Sequence, residues 1–243
     1  MNADRGAFAA ALAAAPAEGW LTDAQAARLW SAGVRSRPAG AAVEIGSFRG
    51  RSTVVLALAA GSVVAIDPHA GSDRGPQEIA ADAGRGDADH DAFRANLAAA
   101  GVAGRVRHVR RFSDAAHADV DGPISLLYVD GAHRFGPARS DLRGWGDRVA
   151  PGGTMLVHDA FSSVGVTLAL FAVCAGSREW RYRGRTGSLA EYERRAGSPR
   201  DVVRHLAELP WFARNLAIKA LILAGRRRWA ERIGLDRSAP WPY

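Results

Sequence analysis

The stretch that decides the fold is AAVEIGSFRGRST, residues 41–53. A short apolar run ends at Ile45, a glycine-rich turn spans Gly46 to Gly50, and an apolar helical run follows Thr53. Strand, glycine turn and helix in this order are typical of the first crossover of a nucleotide-binding α/β sheet. The glycines permit a tight turn and a close approach of the backbone to a ligand. The start of the helix adds unpaired N–H groups and the positive end of its dipole.

The glycine turn alone leaves two rival motifs open. It is close to a phosphate-binding P-loop, but it is one residue short and has Arg51 where that motif needs lysine. It is also close to the dinucleotide-binding fingerprint, but Phe48 stands where the second glycine belongs. Residues farther along the chain have to separate these alternatives.

An acid ends the second predicted strand. The apolar run 62–66 leads into Asp67, which lies roughly 20 residues beyond the glycine turn, the spacing at which an acid holds the two hydroxyls of a ribose. An aspartate at a strand end can instead cap a turn or a helix, but the spacing favours ribose binding. The polar, glycine-rich residues 71–89 predict a mobile loop that could cover the site.

Predicted strands then alternate with helices along the chain. They span residues 105–109, 124–133, 154–157, 180–185 and 188–194. This alternation predicts an α/β fold, a doubly wound and mostly parallel sheet with helices on both faces. Ligands bind outside the carboxyl ends of such strands, so Ser113 and Asp114 could meet the edge of an adenine. An N-cap for the next short helix is an equal alternative for these two residues.

Composition and charge bound the architecture. The 243-residue chain is 48% hydrophobic and 23% charged, which suits one well-buried core. We predict an N-terminal helical cap at 1–40, a central domain at 41–197 and a basic helical tail at 198–243. The formal charge is +7, and nine basic against four acidic residues lie from Arg200 onward. Because a nucleic-acid enzyme usually carries its basic surface around the active cleft, this placement argues against nucleic acid as a partner.

The tail carries an amphipathic pattern. Trp211, Ile218, Trp229 and Ile233 recur at helical spacing within a predicted helix at 209–233. One interpretation is an interfacial helix on an anionic membrane surface. The other is a helix that docks on the sheet or on a second copy of the chain. We favour docking, because amphipathic helices of this kind usually pack against protein.

Several motifs together resemble a known family. They are Glu44 to Thr53 (EIGSFRGRST), Ala65 to His69 (AIDPH), Tyr128 to His133 (YVDGAH), Pro151 to Gly153 (PGG) and Val157 to Asp159 (VHD). In this order and spacing they resemble class I S-adenosylmethionine-dependent methyltransferases, and within that class the small bacterial group that includes macrolide-sugar O-methyltransferases. The resemblance covers about residues 19–194. It implies a Rossmann-like sheet of seven strands with the last one antiparallel, and S-adenosylmethionine lying across the strand ends.

The resemblance also implies roles for individual residues. Glu44 supports the ammonium group of the cofactor, Asp67 holds its ribose, and Asp130 lies beside its sulfonium and methyl group. With the strand-end residues, the predicted cofactor-binding set is Glu44, Gly46, Ser47, Gly50, Ser52, Thr53, Asp67, Ser113, Asp114 and Asp130. The missing P-loop lysine and the presence of Asp67 disfavour the phosphate-loop alternative.

Histidines follow the fourth and fifth predicted strands. Methyl transfer to a hydroxyl needs positioning and removal of the hydroxyl proton, and the pKa of histidine suits that task near neutral pH. We therefore predict His133 as the general base, with Asp130 as the second catalytic residue. A histidine that only bonds a neighbouring loop is the alternative. Asp141, on the following helix, could be an acid that supports the site from behind or a solvated side chain, and we favour the solvated side chain.

Some relatives bind a divalent cation at these strand ends. Asp130, His158 and Asp159 could provide three ligands for Mg²⁺. This chain departs from the sugar-methylating relatives, because Ala132 replaces the second acid of an Asp-Gly-Asp and His158 replaces one of two adjacent acids. Dependence on Mg²⁺ is therefore left open by the sequence.

The expected activity is methylation of a hydroxyl on a sugar, a glycan or another small metabolite. A non-catalytic nucleotide-binding scaffold and a phosphate-binding protein are the alternatives. The N-terminal stretch lacks the basic and apolar regions of a signal peptide. We therefore expect a cytoplasmic protein, placed at the inner membrane surface if its tail binds lipid.

Overall fold

The strands of the chain form one sheet. The computed structural model describes residues 2–37, 40–72 and 80–235. Its strands are β1 (Ala41–Ile45), β2 (Val63–Ile66), β3 (Val106–Val109), β4 (Ile124–Val129), β5 (Val149–Val157), β6 (Trp180–Thr186) and β7 (Leu189–Arg194). They lie in the order β3-β2-β1-β4-β5-β7-β6, and β7 is antiparallel to both of its neighbours. The predicted Rossmann-like sheet of seven mostly parallel strands with an antiparallel last strand is therefore confirmed.

Helices cover both faces of the sheet. They are α1 (Asn2–Ala14), α2 (Asp23–Ser36), α3 (Arg51–Ala60), α4 (Ala83–Ala99), α5 (Phe135–Gly144), α6 (Val164–Val173), α7 (Pro199–Leu206), α8 (Leu209–Leu223) and α9 (Arg227–Arg232). Because side chains alternate across a strand, Ala42 faces a core shared with α1 to α4, whereas Val43 and Ile45 face a core shared with α5 and α6. Each large aliphatic side chain buried there contributes about 1.5–3 kcal/mol. The two cores fix the positions of the strand ends.

The register of the sheet aligns these strand ends. Ile45 pairs with Ile66 of β2 and with Val129 of β4, which in turn pairs with Val157 of β5. The next residues of the four strands therefore emerge at one edge of the sheet, and they are Gly46, Asp67, Asp130 and His158. The strand order reverses between β1 and β4, which is where open α/β sheets leave a crevice for ligands.

The N-terminal helices belong to this packing. A capping box opens α2, because Thr22 Oγ1 accepts from Gln25 N at 3.3 Å and Gln25 Oε1 accepts from Thr22 N at 2.8 Å. Gly33 of α2 packs closely on α3, and a Cβ at this position would lie 2.6 Å from the Cβ of Ala59. Helices α1 and α2 thus form a layer of the central domain.

The predicted loop at 71–89 is wrong in its second half. Helix α4, which begins at Ala83, occupies that part of the chain. Gly86 suggested a loop, but packing requires it, because a Cβ there would lie 2.0 Å from the carbonyl oxygen of His69. Residues 73–79 of the predicted lid lie outside the described residues.

Other element boundaries differ in detail. Helix α2 ends at Ser36, and α5 begins at Phe135, directly after the predicted strand 124–133. Strand β5 begins at Val149, earlier than the predicted start at residue 154, and its register with β4 shifts between the pairs Ile124–Val149 and Leu126–Thr154. The carboxyl end of β5 lies at Val157, as predicted, so these differences leave the strand ends in place.

The described part of the tail, up to residue 235, consists of three helices where one was predicted. Helix α8 ends at Leu223, and α9 follows after a turn that contains Gly225, whose φ of 69° places it in the left-handed region. The first half of α8 docks on the sheet, because Trp211 and Phe212 pack against the core on the α5–α6 side. This half of the tail behaves as the docking interpretation predicted.

The distal part of the tail has a small core of its own. Ile218 of α8 packs there with Ala230 and Leu235. Leu223 and Trp229, by contrast, are 73% and 57% exposed. Within the described ranges, no helix has the length and apolar character needed to cross a membrane.

Candidate active site

A cavity of about 480 Å³ opens at the carboxyl ends of β1, β2 and β4. Small-molecule sites span roughly 300–1,000 Å³, so this volume suits a cofactor of moderate size. The predicted residues in its wall are Gly46, Ser47, Ser52, Asp67, Ser113, Asp114, Asp130 and His133. The structure thus brings most of the predicted cofactor set together with the predicted base.

Gly46 and Ser47 line the cavity where β1 ends. Gly46 has a φ of 83°, and a Cβ there would lie 2.1 Å from the carbonyl oxygen of Asp130. Both facts require glycine, which lets the ends of β1 and β4 approach closely. Ser47 is 3% exposed, and among the described residues its hydroxyl has no hydrogen-bond partner. Because an unpaired buried hydroxyl is costly, this cradle fits a polar ligand.

Asp67 anchors the glycine turn. Its Oδ2 accepts from the backbone N–H groups of Ser47 at 2.8 Å and Phe48 at 2.9 Å, and its Oδ1 accepts from His69 N at 2.7 Å. Phe48 and His69 have φ values of 44° and 45°, which residues other than glycine rarely adopt. Asp67 lines the cavity, and Oδ1 retains room for a further donor. This anchoring role was not predicted.

Glu44 and Thr53 do not reach the cavity. Both are completely buried, and the Glu44 carboxyl accepts from Ser52 Oγ and Thr53 Oγ1 at 2.5 Å each. Burial raises the pKa of Glu44 to about 8, although the two hydroxyls lower it. The predicted contact between Glu44 and a cofactor ammonium is therefore unsupported, and the residue instead ties β1 to α3. Gly50 also faces away, since a Cβ there would contact Phe93 of α4 at 3.2 Å.

An acid of α5 reaches the end of β3. Ser113 Oγ donates to Asp141 at 2.5 Å, whereas Asp114 is exposed at the cavity wall. The prediction that Asp141 is solvated is wrong, because it is 5% exposed. Burial raises its pKa to about 6, against the lowering effect of Ser113. The signal was present in the sequence, since Asp141 shares the helical spacing of buried Ala138 and Leu142.

His158 lies between two carboxylates. Its Nδ1 is 3.2 Å from Asp130 Oδ1 and 3.2 Å from Asp159 Oδ2. Burial lowers the pKa of His158, but the charges and hydrogen bonds of the two aspartates raise it well above its ordinary value. Burial raises the pKa of Asp159, but His158 and His133 hold it far below the usual range. The contacts with the two aspartates therefore favour the protonated form of His158.

His133 pairs with Asp159 at the cavity wall. Its Nε2 is 2.9 Å from Asp159 Oδ2. Burial lowers the pKa of His133, but the hydrogen bond and charge of Asp159 raise it above the ordinary 6.5. In such a dyad a carboxylate orients a histidine and stabilises its protonated form. The arrangement can take a proton from a bound acceptor.

The same cluster brings candidate ligands for a divalent cation together. Ligand atoms of Asp130, His133 and Asp159 lie within 4.8 Å of one another. Mg²⁺ prefers oxygen ligands and water. The carboxylates already accept hydrogen bonds: Tyr128 and His158 donate to Asp130, and His133, His158 and Ser162 donate to Asp159. The predicted set of Asp130, His158 and Asp159 is thus brought together as an ion-pair network that does not fit Mg²⁺.

Aromatic side chains outside the predicted set also line the cavity. They are Trp20, Phe48 and Phe112. The rings of Trp20 and Phe48 have centroids 5.1 Å apart, and Phe112 is 59% exposed. Phe112 follows the predicted strand 105–109 and Phe48 lies in the glycine turn, so the sequence positions of both residues indicated a place near the site. Trp20 carried none, because it reaches the site from the segment between α1 and α2.

Comparison with known families agrees with this geometry. A family model described as a methyltransferase domain matches residues 43–160. The matched segment begins in β1 and ends in the turn after β5. It therefore contains the four strand ends that Gly46, Asp67, Asp130 and His158 occupy.

Solved structures share the fold. The cofactor-bound Rv0187 from MTB is 21% identical, with 81% of this chain and 91% of that chain covered and a TM-score of 0.54. The O-methyltransferase NovP is 17% identical over 74% of this chain and 84% of its own, with a TM-score of 0.57. An O-methyltransferase from Bacillus cereus in complex with SAH is 15% identical over 79% and 89%, with a TM-score of 0.51.

The family match and the structure support one assignment. The matched segment contains the strands whose ends line the cavity. That cavity combines a glycine turn, an acid after β2 and the buried hydroxyl of Ser47, which has no hydrogen-bond partner among the described residues. Residues 43–160 of the chain therefore form a methyltransferase domain, with the class I fold that uses S-adenosylmethionine.

Proposed function

We propose that this methyltransferase methylates a hydroxyl oxygen of a small acceptor, such as a sugar, a glycan or another small metabolite. The observation that carries the proposal is the 2.9 Å contact between His133 Nε2 and Asp159 Oδ2 at the cavity wall. A hydroxyl must lose its proton as its oxygen takes the methyl group, and an oriented histidine performs that task. The names of NovP and of the Bacillus cereus protein, both O-methyltransferases, support the same acceptor chemistry.

The cavity residues would hold the cofactor by polar contacts. When bound, S-adenosylmethionine supplies a methyl group on a positively charged sulfonium. Ser47 would contribute its unpartnered hydroxyl, and Asp67 would accept from the ribose through Oδ1. Asp130 would place a carboxylate near the positive charge, which is the electrostatic support that such a cofactor needs. Asp114 and Phe112 would border the adenine end.

His133 is the proposed proton acceptor. With the proton on Nε2 directed at Asp159, the basic lone pair of neutral His133 lies on Nδ1. Neutral His133 would take the proton of the acceptor hydroxyl, and bound S-adenosylmethionine would supply the methyl group that the acceptor oxygen receives. Asp159 then stabilises the imidazolium, and His158 keeps Asp159 ionised.

An aromatic wall supports a ring-shaped acceptor. Trp20 is 38% exposed and packs near Phe48, next to the open part of the cavity. Flat aromatic faces stack on sugar or aryl rings at small entropic cost. This wall favours a cyclic acceptor over a linear one.

Cofactor binding is tested by calorimetry with S-adenosylhomocysteine. Relative to the wild type, Ser47→Ala should weaken binding about five- to tenfold, because one hydrogen bond to the ligand is lost. Ser31→Ala removes an exposed hydroxyl on α2 that bonds only the Ala27 carbonyl among the described residues, and it should leave binding unchanged. An unchanged affinity in Ser47→Ala would remove Ser47 from the site.

The base is tested with a panel of hydroxyl acceptors and an assay for S-adenosylhomocysteine release. His133→Ala should lower kcat by about 10²- to 10⁴-fold and retain cofactor affinity. His117→Ala is the matched control, since His117 stacks on Trp145 with ring centroids 4.3 Å apart and lies outside the cavity wall. A scaffold protein would bind the cofactor and release no product with any acceptor. Wild-type turnover by His133→Ala would refute its role as base.

We also propose that the distal tail contacts an anionic membrane surface. Leu223, Trp229 and Ile233 expose 73%, 57% and 40% of their surfaces. The exposed arginines nearest to them in sequence are Arg226, Arg227, Arg228 and Arg232. Apolar side chains interleaved with arginines match the headgroup region of an anionic bilayer.

Vesicle sedimentation tests the membrane contact. The double variant Trp229→Ala/Ile233→Ser should lose binding to phosphatidylglycerol vesicles. Leu168→Ser, on α6, removes a side chain of similar exposure (51%) and should keep it. Binding to neutral phosphatidylcholine alone, or a dimer by light scattering with no vesicle binding, would refute the proposal. The dimer would assign the surface to a second copy of the chain.

A further inference from the structure

The turn that carries Asp159 has a strained backbone. Asp159 and Phe161 have φ values of 53° and 58°, in a region that residues other than glycine seldom adopt. Such residues persist only where their surroundings fix them. Within the turn, Ser162 N and Ser163 N both donate to the Asp159 carbonyl, at 3.2 and 3.0 Å. Contacts from elsewhere in the fold are needed to hold the turn in place.

One of these contacts comes from the tail. Asn215 of α8 is 2% exposed, and its Nδ2 donates to the Phe161 carbonyl oxygen at 3.0 Å. Its Oδ1 accepts from Arg214 Nη1 at 3.1 Å, so both ends of the buried amide are satisfied. The first half of α8 is itself fixed on the sheet through Trp211 and Phe212. The amide therefore links a docked helix to the turn.

A second contact comes from the β6–β7 connection. Ala160 N donates to the carbonyl oxygen of Ser188 at 2.9 Å. The turn is thus held between two consecutive hydrogen bonds from different elements, one at Ala160 and one at Phe161. The first uses backbone groups, which no substitution of a side chain removes. The second depends on the single amide of Asn215.

We propose that Asn215 is a positioning residue for methyl transfer, which holds the Asp159 carboxylate against His133 through the Phe161 carbonyl. The inference rests on the proposed function, because it matters only if the His133–Asp159 dyad takes the acceptor proton. Loss of the amide leaves the Phe161 carbonyl unpaired and frees one side of the strained turn. A dyad displaced by about 1 Å loses rate by up to roughly 100-fold. The tail is thereby part of the catalytic framework.

The test separates kcat from KM. Asn215→Ala should lower kcat about 10- to 100-fold. The KM for S-adenosylmethionine and the affinity for S-adenosylhomocysteine should stay unchanged, because the glycine turn follows β1 and not β5. Ile218→Ala is the matched control. Ile218 is completely buried on the same helix, but it packs with α9 and not with the turn. This variant should lose thermal stability and keep the wild-type kcat.

The outcomes distinguish this inference from the proposed function. Wild-type kcat in Asn215→Ala, with an inactive His133→Ala, would overturn the positioning role alone. Equal losses of kcat in Asn215→Ala and Ile218→Ala would also overturn it, since they would indicate general destabilisation. If Asn215→Ala does not fold, Asn215→Ser keeps a polar group at the site but falls short of the Phe161 carbonyl. The same drop in kcat is expected there, and its absence would count against the proposal.

Discussion

The turn after β1 and the turn after β5 hold two parts of the site by different means. The first relies on Gly46 and on the hydrogen bonds that backbone N–H groups donate to Asp67. The second relies on charge, with His158 and His133 both donating to Asp159. A cradle of backbone groups changes little with pH, whereas a network of imidazoles and carboxylates depends on where its protons lie. Cofactor binding should therefore tolerate pH changes that alter catalysis.

Breaking the charged turn should have the largest effect. Asp159→Asn removes the carboxylate that orients His133, so we expect kcat to fall on the order of 10³- to 10⁴-fold while S-adenosylhomocysteine still binds. The wild-type rate should rise as pH increases through a His133 pKa above 6.5, because the neutral form is the base. In the variant that rise should move to lower pH, since Asp159 is what raises the pKa. Loss of cofactor binding to the same extent would contradict the separation of the two turns.

Crowding the glycine turn should have the next largest effect. Gly46→Ala should lower the unfolding free energy by about 3 kcal/mol or more and abolish cofactor binding, because its Cβ would lie 2.1 Å from the Asp130 carbonyl oxygen. Gly61→Ala is the matched control, with a φ of 95° but no atom within 4 Å of the new Cβ. It should cost only about 1 kcal/mol through backbone strain. Urea unfolding measures both, and equal losses would refute the steric explanation.

The buried acid behind the first turn should give a smaller, pH-dependent effect. The folded-state pKa of Glu44 is raised from 4.5 to about 8, so its contribution to stability is present below 4.5 and is lost as pH rises toward 8. The wild type should lose up to about 1.4 kcal/mol per pH unit from this one group. Glu44→Gln cannot ionise and should flatten the curve of unfolding free energy against pH. Parallel curves for the two proteins would show that Glu44 titrates normally.

Removal of divalent cations should have the smallest effect. The Asp130 and Asp159 carboxylates already accept hydrogen bonds from neighbouring side chains, so EDTA should leave kcat unchanged. Activity that falls with EDTA and returns with Mg²⁺ would show that the ion-pair network opens to bind a metal.

The two turns also differ in how far the sequence predicts them. The first is local, because glycine spacing, strand and helix signals and the position of Asp67 all lie within one crossover. The sequence is least informative about Glu44 in this turn. It places Glu44 near the end of β1 but does not show that its buried carboxyl accepts hydrogen bonds from Ser52 and Thr53. The alternation of side chains across β1, with Val43 and Ile45 on one face, was the available signal.

The second turn depends on contacts between distant segments. His133 was predicted as the base from its place after β4, but its partner follows from the pairing of β4 with β5 and from the positive φ of Asp159. The amide of Asn215, which donates to the Phe161 carbonyl, lies in the tail, and the sequence suggested that the tail was a separate unit. Spacing along the chain carries no information about such contacts, because they arise from tertiary packing.

The alignment of Gly46, Asp67, Asp130 and His158 on neighbouring strands constrains how the protein folds. Parallel strands pair residues that are far apart in the chain, and such non-local contacts form slowly. No N-terminal fragment that lacks β4 and β5 contains both turns. A nascent chain that ends before β5 therefore cannot form the complete site. Ligand binding stabilises only the species that binds. Cellular S-adenosylmethionine would therefore select finished molecules over partly folded ones and protect them from proteolysis.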